Sequence, residues 1–569
     1  DRQQRQMCIR DSNIPVGNKV ATVQEYDSLN VLKSQVKASF TVSKNQETPV
    51  GNVNLGVAIS GTTANPVFEP TQATISYGNS VYFQNWTTSA FTITGVGADL
   101  PLSGAYQDGS GAWVFSSGAR VITATVNAGI QGKNVLCALT VGGGVLKWQR
   151  NYGGNYEDWA YSIVQTSDGG YAVAGYTYSS QSGDVTGANK GYGYTDYWIL
   201  KLNSTGGIVW QRNYGGNYED RAYSIVQTSD GGYAVAGYTG SSANGDVTGP
   251  NKGGRDYWIL KLNSTGGIVW QRNYGGSSHE EANSIVQTSD GGYAVAGHTL
   301  SSQSGDVIGK NKGGQDYWIL KLNSNGGIVW EDNYGGDKYD YAYSIVQTSD
   351  GRYAVAGHTL SSQSGDVTGQ NKGGRDYWIL KLYSNGGIVW QKNYGGNGND
   401  EAYSIVQTSD GGYAVAGWTF SIVSGDVTGM IKGGYDYWIL KLNSTGGIVW
   451  QRNYGGDKSD EARSIVQTSD GGYAVAGHTL SSQSGDVTGP NKGSLDYWIL
   501  KLNSTGGIVW QKNYGGNNYD YAYSIVQTSD GGYAAAGGTE SSASGDVTGP
   551  SRGGKDYWIV KIDANGELQ

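Results

Sequence analysis

Two cysteines, two methionines, four histidines, six phenylalanines and eight prolines are spread through 569 residues. So few thiols exclude a disulfide framework. No run of 18 apolar residues occurs, which excludes a membrane-spanning helix. Cationic residues are also short: 39 Lys and Arg against 48 Asp and Glu leave a net charge of −9. Nucleic acid is therefore a poor candidate partner, because phosphate binding needs clustered Lys and Arg. What is abundant is glycine (93), tyrosine (43) and tryptophan (18). Many tight turns joined to large flat side chains describe a turn-rich β protein.

The chain repeats itself. The string VWQRNYGG and its variants place tryptophan at 148, 210, 270, 330, 390, 450 and 510, so seven units fill residues 146–569. Each unit has four short apolar segments of the kind IVWQRNY, SIVQT, YAVAG and DYWILKL, bounded by Gly, Asn, Asp or Ser. These are strand signals, and the punctuation leaves no room for a useful helix. Four strands taken seven times predict an all-β fold, a seven-bladed β-propeller of four-stranded blades.

The piece KLNSTGGIVWQ resembles the repeat of quinoprotein-type propellers. That resemblance implies a phase: SIVQT innermost, YAVAG second, DYWILKL third and IVWQRNY outermost. The strand at Val145–Tyr152 would then complete the last blade and close the ring. The TSDGG turn also resembles the Asp-box turn of sialidase-like propellers, where it is a structural turn. In this phase TSDGG and NSTGG share one face. The loops around NYGGNYED and the long loops after YAVAG share the other. Variation between units concentrates in NYEDW, NYEDR, SSHEE, DKYDY, NGNDE, DKSDE and NNYDY, so the long-loop face is the candidate binding face.

Three residue sets carry the chemistry on that face. The position after AVAG holds Tyr176, Tyr238, His298, His358, Trp418 and His478, with Gly538 in the last unit. These six are ligand-binding candidates, because aromatic and imidazole rings at a repeated site can stack on sugars; packing at a strand end is the plainer reading. Each unit also carries an aspartate in GDV: Asp184, Asp246, Asp306, Asp366, Asp426, Asp486 and Asp546. Calcium is the cation such loop carboxylates would take. The plainer reading is turn-fixing by hydrogen bonds to backbone N–H groups. Lys190, Lys252, Lys312, Lys372, Lys432, Lys492 and Arg552 lie near enough in sequence to pair with them. Further acidic residues precede the innermost strand (Asp158 and its equivalents) and the YW pair (Asp196 and its equivalents). No cofactor is expected beyond that calcium.

Residues 1–35 read as a lead. Its first twelve, DRQQRQMCIRDS, resemble translated adaptor read-through from metagenomic sequencing. Any export signal would then lie outside this sequence, Cys8 would be adventitious, and Cys137 would remain as a lone buried thiol. A short helix is expected over Val20–Ala38. Residues 36–142 resemble a cupredoxin-like or immunoglobulin-like β-sandwich. Copper ligands would be expected near Phe91, Ile122, Thr125 and Ile130. They are missing, and no histidine precedes position 279, so blue-copper chemistry is excluded. The domains expected are thus the lead, the sandwich over 36–142 and the propeller over 145–569.

The repeat DGGYxVAGxTxSxxGDVxGxxKGxxDYW followed by KL resembles repeats in large secreted bacterial and archaeal β-propeller proteins. This implies export and display at the cell surface. The expected function is a non-catalytic extracellular binding scaffold, a monomer whose partner is a glycan or a protein. The alternatives are a structural or adhesive surface-layer component and a propeller enzyme of quinoprotein or glycosidase type. Enzymes on symmetric propellers carry a unit-specific set of acid, base or nucleophile. Here only His279-Glu280-Glu281, Arg463 and Glu540 depart locally, and they form no recognisable set.

Overall fold

The computed structural model describes residues 147–568 throughout, and before them only the backbone of eight strands: Gly17–Tyr26, Leu32–Val42, Thr74–Ile75, Phe91–Gly95, Tyr106–Gln107, Trp113–Val114, Arg120–Val126 and Asn134–Val135. The chain separates into two compact units, Asp1–Gly144 and Val145–Gln569. In the first, Gly17–Tyr26 and Leu32–Val42 pair antiparallel, with Val20 opposite Ser39 and Val23 opposite Val36. This corrects the helix expected over Val20–Ala38. The segment is rich in β-branched residues, whose χ1 stiffness favours strands. Arg120–Val126 pairs with Thr74–Ile75, Phe91–Gly95 and Asn134–Val135, and Tyr106–Gln107 pairs with Trp113–Val114. The remainder of the expected sandwich lies outside the described residues.

The second unit is a seven-bladed β-propeller. Blade 1 consists of Asp158–Gln165, Tyr171–Thr177, Asp196–Leu202 and Ile208–Tyr214, hydrogen-bonded in that order and all antiparallel. Blades 2 to 6 repeat the order, starting at Asp220, Glu280, Asp340, Asp400 and Asp460. Blade 7 takes Asp520–Gln527, Tyr533–Thr539 and Asp556–Ile562, and its outermost strand is Trp148–Tyr152 from the other end of the unit. The described residues contain no helix, and none long and apolar enough to cross a membrane.

Packing between blades follows from alternating large and small residues. At the seam of blades 1 and 2, Ala172, Ala174, Tyr197 and Ile199 meet Val235, Trp258, Leu260 and Leu262. The alanines of YAVAG leave room for the Trp258 indole, whose ring lies 4.7 Å from that of Tyr197. The Tyr197 hydroxyl donates to the Trp258 carbonyl at 2.9 Å. The same contact recurs around the ring, ending with Tyr557 on Trp198 at 2.8 Å. Each such aromatic removes roughly 150–250 Å² from water, a large apolar contribution at every seam. A second circle lies nearer the axis. The Ile225 amide donates to Ser162 Oγ at 3.2 Å. Equivalent bonds join Ile285 to Ser224, Ile345 to Ser284, Ile405 to Ser344, Ile465 to Ser404, Ile525 to Ser464 and Ile163 to Ser524.

A bulge in each innermost strand makes that circle. In blade 2 the register shifts between Ala222 and Ser224, opposite Gly237. A Cβ on Gly237 would stand 1.9 Å from the Arg221 carbonyl oxygen and 2.6 Å from the Tyr197 hydroxyl. Gly237→Ala is therefore expected to destabilise the propeller by ~1–3 kcal/mol or more, through overpacking. A lowered thermal midpoint checks this; an unchanged one would show that the bulge yields freely.

Departures from the repeat are themselves coupled. In blade 2, Trp258 Nε1 donates to Gln271 Oε1 at 2.7 Å and the Gln271 amide donates to Thr248 Oγ1. In blade 3 isoleucine (Ile308) replaces that threonine and glutamate (Glu331) replaces that glutamine. Glu331 accepts from Trp318 Nε1 at 2.6 Å and from the Ile308 amide at 2.9 Å. With no hydroxyl to receive an amide N–H, a carboxylate is the side chain that leaves no donor stranded.

Candidate binding basin on the propeller axis

The tight-turn face is locked. Asp168 accepts from Thr166 Oγ1 at 2.5 Å and from the Gly170 amide at 3.0 Å, and pairs with Lys201 at 2.9 Å. Asn203 Oδ1 accepts from the Thr205 hydroxyl and from the Gly207 amide, both at 2.8 Å. These are the structural turns that the sequence suggested.

On the opposite face, the GDV aspartates form a circle of ion pairs. Asp246 accepts from the Gly215 amide at 3.2 Å and pairs with Lys190 of the preceding blade. Asp306 pairs with Lys252 (2.9 Å), Asp366 with Lys312 (3.1 Å), Asp426 with Lys372 (3.1 Å), Asp486 with Lys432 (3.0 Å) and Asp546 with Lys492 (2.8 Å). Asp184 closes the circle on Arg552 at 3.2 Å. Each carboxylate sits at a different seam against its own cation, so a calcium ion there would have to displace an ammonium or guanidinium group. Among the described residues, no three His, Cys, Asp or Glu side chains converge to hold a metal ion.

A second acidic set is fully buried between the blades. Asp220 Oδ2 accepts from the Gly216 amide at 2.7 Å and from Ser241 Oγ at 3.2 Å. Asp196, from the preceding blade, accepts from the Lys190 amide at 3.1 Å. Both are wholly inaccessible. A Cβ on Gly215 would lie 2.3 Å from Asp196 Oδ1 and 2.8 Å from Asp220 Oδ2, so only glycine admits the pair. Burial pushes both carboxyls up to about 7. The Oδ1 atoms of Asp196, Asp256, Asp316, Asp376, Asp436, Asp496 and Asp556 all lack a hydrogen-bond partner. Two abutting carboxyls with an orphan oxygen between them are best satisfied by one shared proton.

Unit-specific chemistry gathers on the axis. One position of the innermost strand reads Tyr161, Tyr223, Asn283, Tyr343, Tyr403, Arg463 and Tyr523 around the ring. Neighbours touch: Tyr161–Tyr223 at 5.0 Å, Tyr161–Tyr523 at 4.8 Å and Tyr343–Tyr403 at 4.8 Å between ring centres. Arg463 lies 4.1 Å over the Tyr403 ring and 5.7 Å from that of Tyr523. This girdle narrows the channel, and Asn283 breaks it at blade 3, donating to the Ala342 carbonyl at 2.8 Å. Two residues earlier, nearer the long-loop face, stand Trp159, Arg221, Glu281, Tyr341, Glu401, Glu461 and Tyr521. They surround the space above the girdle, here the basin, with Arg221, Glu281, Tyr341, Glu461 and Tyr521 part-exposed to it and Trp159 and Glu401 buried behind.

The six sequence-chosen candidates lie one layer behind this wall. Tyr176, Tyr238, His298, His358, Trp418 and His478 sit on the second strands, directly opposite Trp159, Arg221, Glu281, Tyr341, Glu401 and Glu461. None is more than 6% exposed, so they present no open face to a sugar. They act as buttresses: Tyr176 lies under the Arg221 guanidinium at 4.5 Å, Tyr238 under that of Arg255 at 4.4 Å, and His298 against Tyr341 at 4.9 Å. Burial holds all three histidines below the ordinary imidazole range, His358 at about 4, so they are neutral at pH 7. The basin wall itself was missed. Its signal was present as the last residue of each variable string, NYEDW to NNYDY, which the structure places inside the innermost strand rather than in the loop before it.

A separate cleft of ≈ 370 Å³ lies at the closing seam, lined by Gln149, Arg150, Asn151, Tyr152, Thr548 and Arg552 among others. Apart from the sequence break at the closure it is built from repeated residues, whereas the basin is built from varied ones.

No family model matches this sequence. The chain is similar to the regulatory protein FlaEY of Caulobacter vibrioides, with 25% identity over 193 residues, which are 32% of this chain and 20% of that one. It therefore spans about a fifth of that relative's length. Solved structures with a likeness in fold include the WD40 domain of Pan2 from Neurospora crassa (TM-score 0.39, 10% identity, 73% of this chain and 96% of that one). A puromycin hydrolase mutant gives TM-score 0.42 and 11% identity over 72% of this chain and 52% of its own. A protein of unknown function from Bacteroides caccae gives 0.32 and 15% over 56% and 89%. These likenesses concern fold alone.

Proposed function

We propose that this protein is a non-catalytic extracellular or cell-surface binding scaffold, monomeric, that takes a glycan or protein ligand in the axial basin of its long-loop face. One observation carries the reading. Nearly every seam, turn and ion pair repeats around the ring, while the residues facing the basin differ from blade to blade. Such variation on a rigid frame is what ligand recognition requires. The resemblance of the repeat to those of secreted proteins supports display outside the cell. Burial raises the Glu401 carboxyl, but its ion pair with Arg375 and the hydrogen bond from the Tyr403 hydroxyl act against this, and it lies below the ordinary range.

The test is a surface array of polysaccharides and cell-envelope proteins, run with and without EDTA. It compares the native chain with the double variant Tyr341→Ala/Tyr521→Ala and, as a control on the tight-turn face, Thr265→Ala. Binding is expected to survive EDTA and the control and to be lost in the double variant. Binding that survives the double variant, or turnover of a chromogenic glycoside, would overturn the reading.

A further inference from the structure

The charges of the basin close on one another. Arg221 pairs with Glu219 at 2.8 Å, and Arg255 joins Glu219 (2.8 Å) to Glu281. Arg375 holds Glu401, Arg463 holds Glu461 at 2.6 Å, and Lys555 holds Glu540 at 3.2 Å. Five cations thus face five carboxylates, and Glu157 adds one negative charge at the rim. An anionic ligand would have to break these pairs, and a cationic one would have to compete with five fixed cations. What the pairs still offer is planar arrays of hydrogen-bond donors and acceptors side by side, the pattern that vicinal hydroxyls satisfy. Arg463 keeps a buried Nε–H with no partner.

Tyrosine side chains lie along the same space in two strips, with Tyr341 packed against His298 and His358 and Tyr521 against Trp159 and His478. In blade 4, Tyr339, Tyr341 and Tyr343 follow one another at 6.4 Å steps with interplanar angles of 18° and 9°. In blade 7, Tyr519, Tyr521 and Tyr523 do so at 6.1 and 6.4 Å, with 9° and 17°. Both strips descend from exposed tyrosines at the loop rim (49% for Tyr339, 40% for Tyr519) to the girdle. The two blades are three apart, as far as a ring of seven allows. Aromatic rings pack well on the apolar faces of flat, partly polar partners.

Building on the basin reading, we propose that its ligand is an uncharged oligosaccharide. It enters end-on along the axis, with its ring faces against the two tyrosine strips and its hydroxyls on the Arg–Glu pairs and Asn283. The probes are neutral manno-, cello-, xylo- and malto-oligosaccharides of increasing length, with polygalacturonate as the acidic counterpart, measured by titration calorimetry at low and high salt. At least one neutral series is expected to bind, tightening with length to a plateau and indifferent to salt. Tyr341→Ala and Tyr521→Ala are each expected to weaken it about tenfold, and Tyr341→Phe to keep most of the affinity; melting curves verify that the variants are folded. If no neutral series binds, the proposal is overturned. Salt-sensitive binding of polygalacturonate alone, lost in Tyr341→Ala, would overturn the neutral class and leave the basin standing. Neutral binding untouched by either alanine variant would overturn both.

Discussion

The melting temperature of the propeller is expected to fall as the pH is raised from about 5 to about 8. The source is the buried carboxyl pairs at the seams. Burial raises Asp158, Asp196, Asp220, Asp340, Asp376, Asp436 and Asp496 to about 7, and Asp256, Asp316, Asp460 and Asp520 to about 6. Around these pairs stand the loop lysine or arginine, which lowers the values, and, at all of them but Asp256 with Glu280, a GDV aspartate that raises them. An unfolded aspartate titrates near 3.9. Between those limits the folded chain holds protons that the unfolded chain has lost, so stability declines with rising pH by about 1.4 kcal/mol per pH unit for each such proton. The decline ends once the folded carboxyls have ionised. Below about pH 4 the sign reverses. Burial raises Asp230, Asp290, Asp410 and Asp470, but their lysine partners, threonine hydroxyls and backbone amides together outweigh it and hold them near 2. Their contribution is present above the unfolded value and is lost as they protonate. The optimum is thus expected between about pH 4 and 5. Asp496→Asn, which cannot ionise, should flatten the alkaline limb by one pair's share. A midpoint that is level or rises between pH 5 and 8 would show that the pairs do not retain protons.

Removing the chain up to residue 152 is expected to open the ring. Trp148–Tyr152 is the outermost strand of blade 7, and its side chains knit both neighbours. Trp558 Nε1 donates to Gln149 Oε1 at 2.8 Å, Asn151 donates to Asp556 at 3.2 Å, Tyr152 to the Gly206 carbonyl at 2.6 Å and Trp148 to the Ser204 carbonyl at 2.9 Å. Without them, the edge of Asp556–Ile562 is left unpaired and the seam with blade 1 half uncovered. The loss should be comparable to a typical domain's whole stability, roughly 5–15 kcal/mol, and the bared edge should drive association. Size-exclusion chromatography and melting would show this, and a synthetic peptide of residues 145–152 should restore the monomer. A truncated chain that melts like the intact one would show that the closure is dispensable.

The architecture was legible because the repeat announces itself. Four strand signals per unit, each ended by Gly, Asn or Asp, admit few folds, and the phase was implied by the resemblance of KLNSTGGIVWQ to the quinoprotein-type repeat. The basin was harder to see. Its wall residues, such as Arg221 and Glu401, look like the ends of loops, because the innermost strand begins at the acidic residue just before them. Tyr176 and His298 looked available for stacking because a strand pattern does not say which strand lies behind another. The Arg255–Glu219–Glu281 cluster joins residues from two neighbouring blades, and only the packing of one blade on the next brings them together.

The seams have a consequence for the history and the folding of the molecule. The third and fourth strands are nearly interchangeable from unit to unit, so a DYWILKL strand can accept the IVWQRNY strand of almost any copy. Unequal recombination within the coding repeat can add or remove a unit without creating an unfamiliar contact. A folding chain likewise meets many equally well-matched partners before it meets the correct one. Ring curvature and the single strand Trp148–Tyr152 arriving from the far end are what choose among them. Identity between copies therefore makes each seam easy to form and makes the count of blades a property of the whole circle.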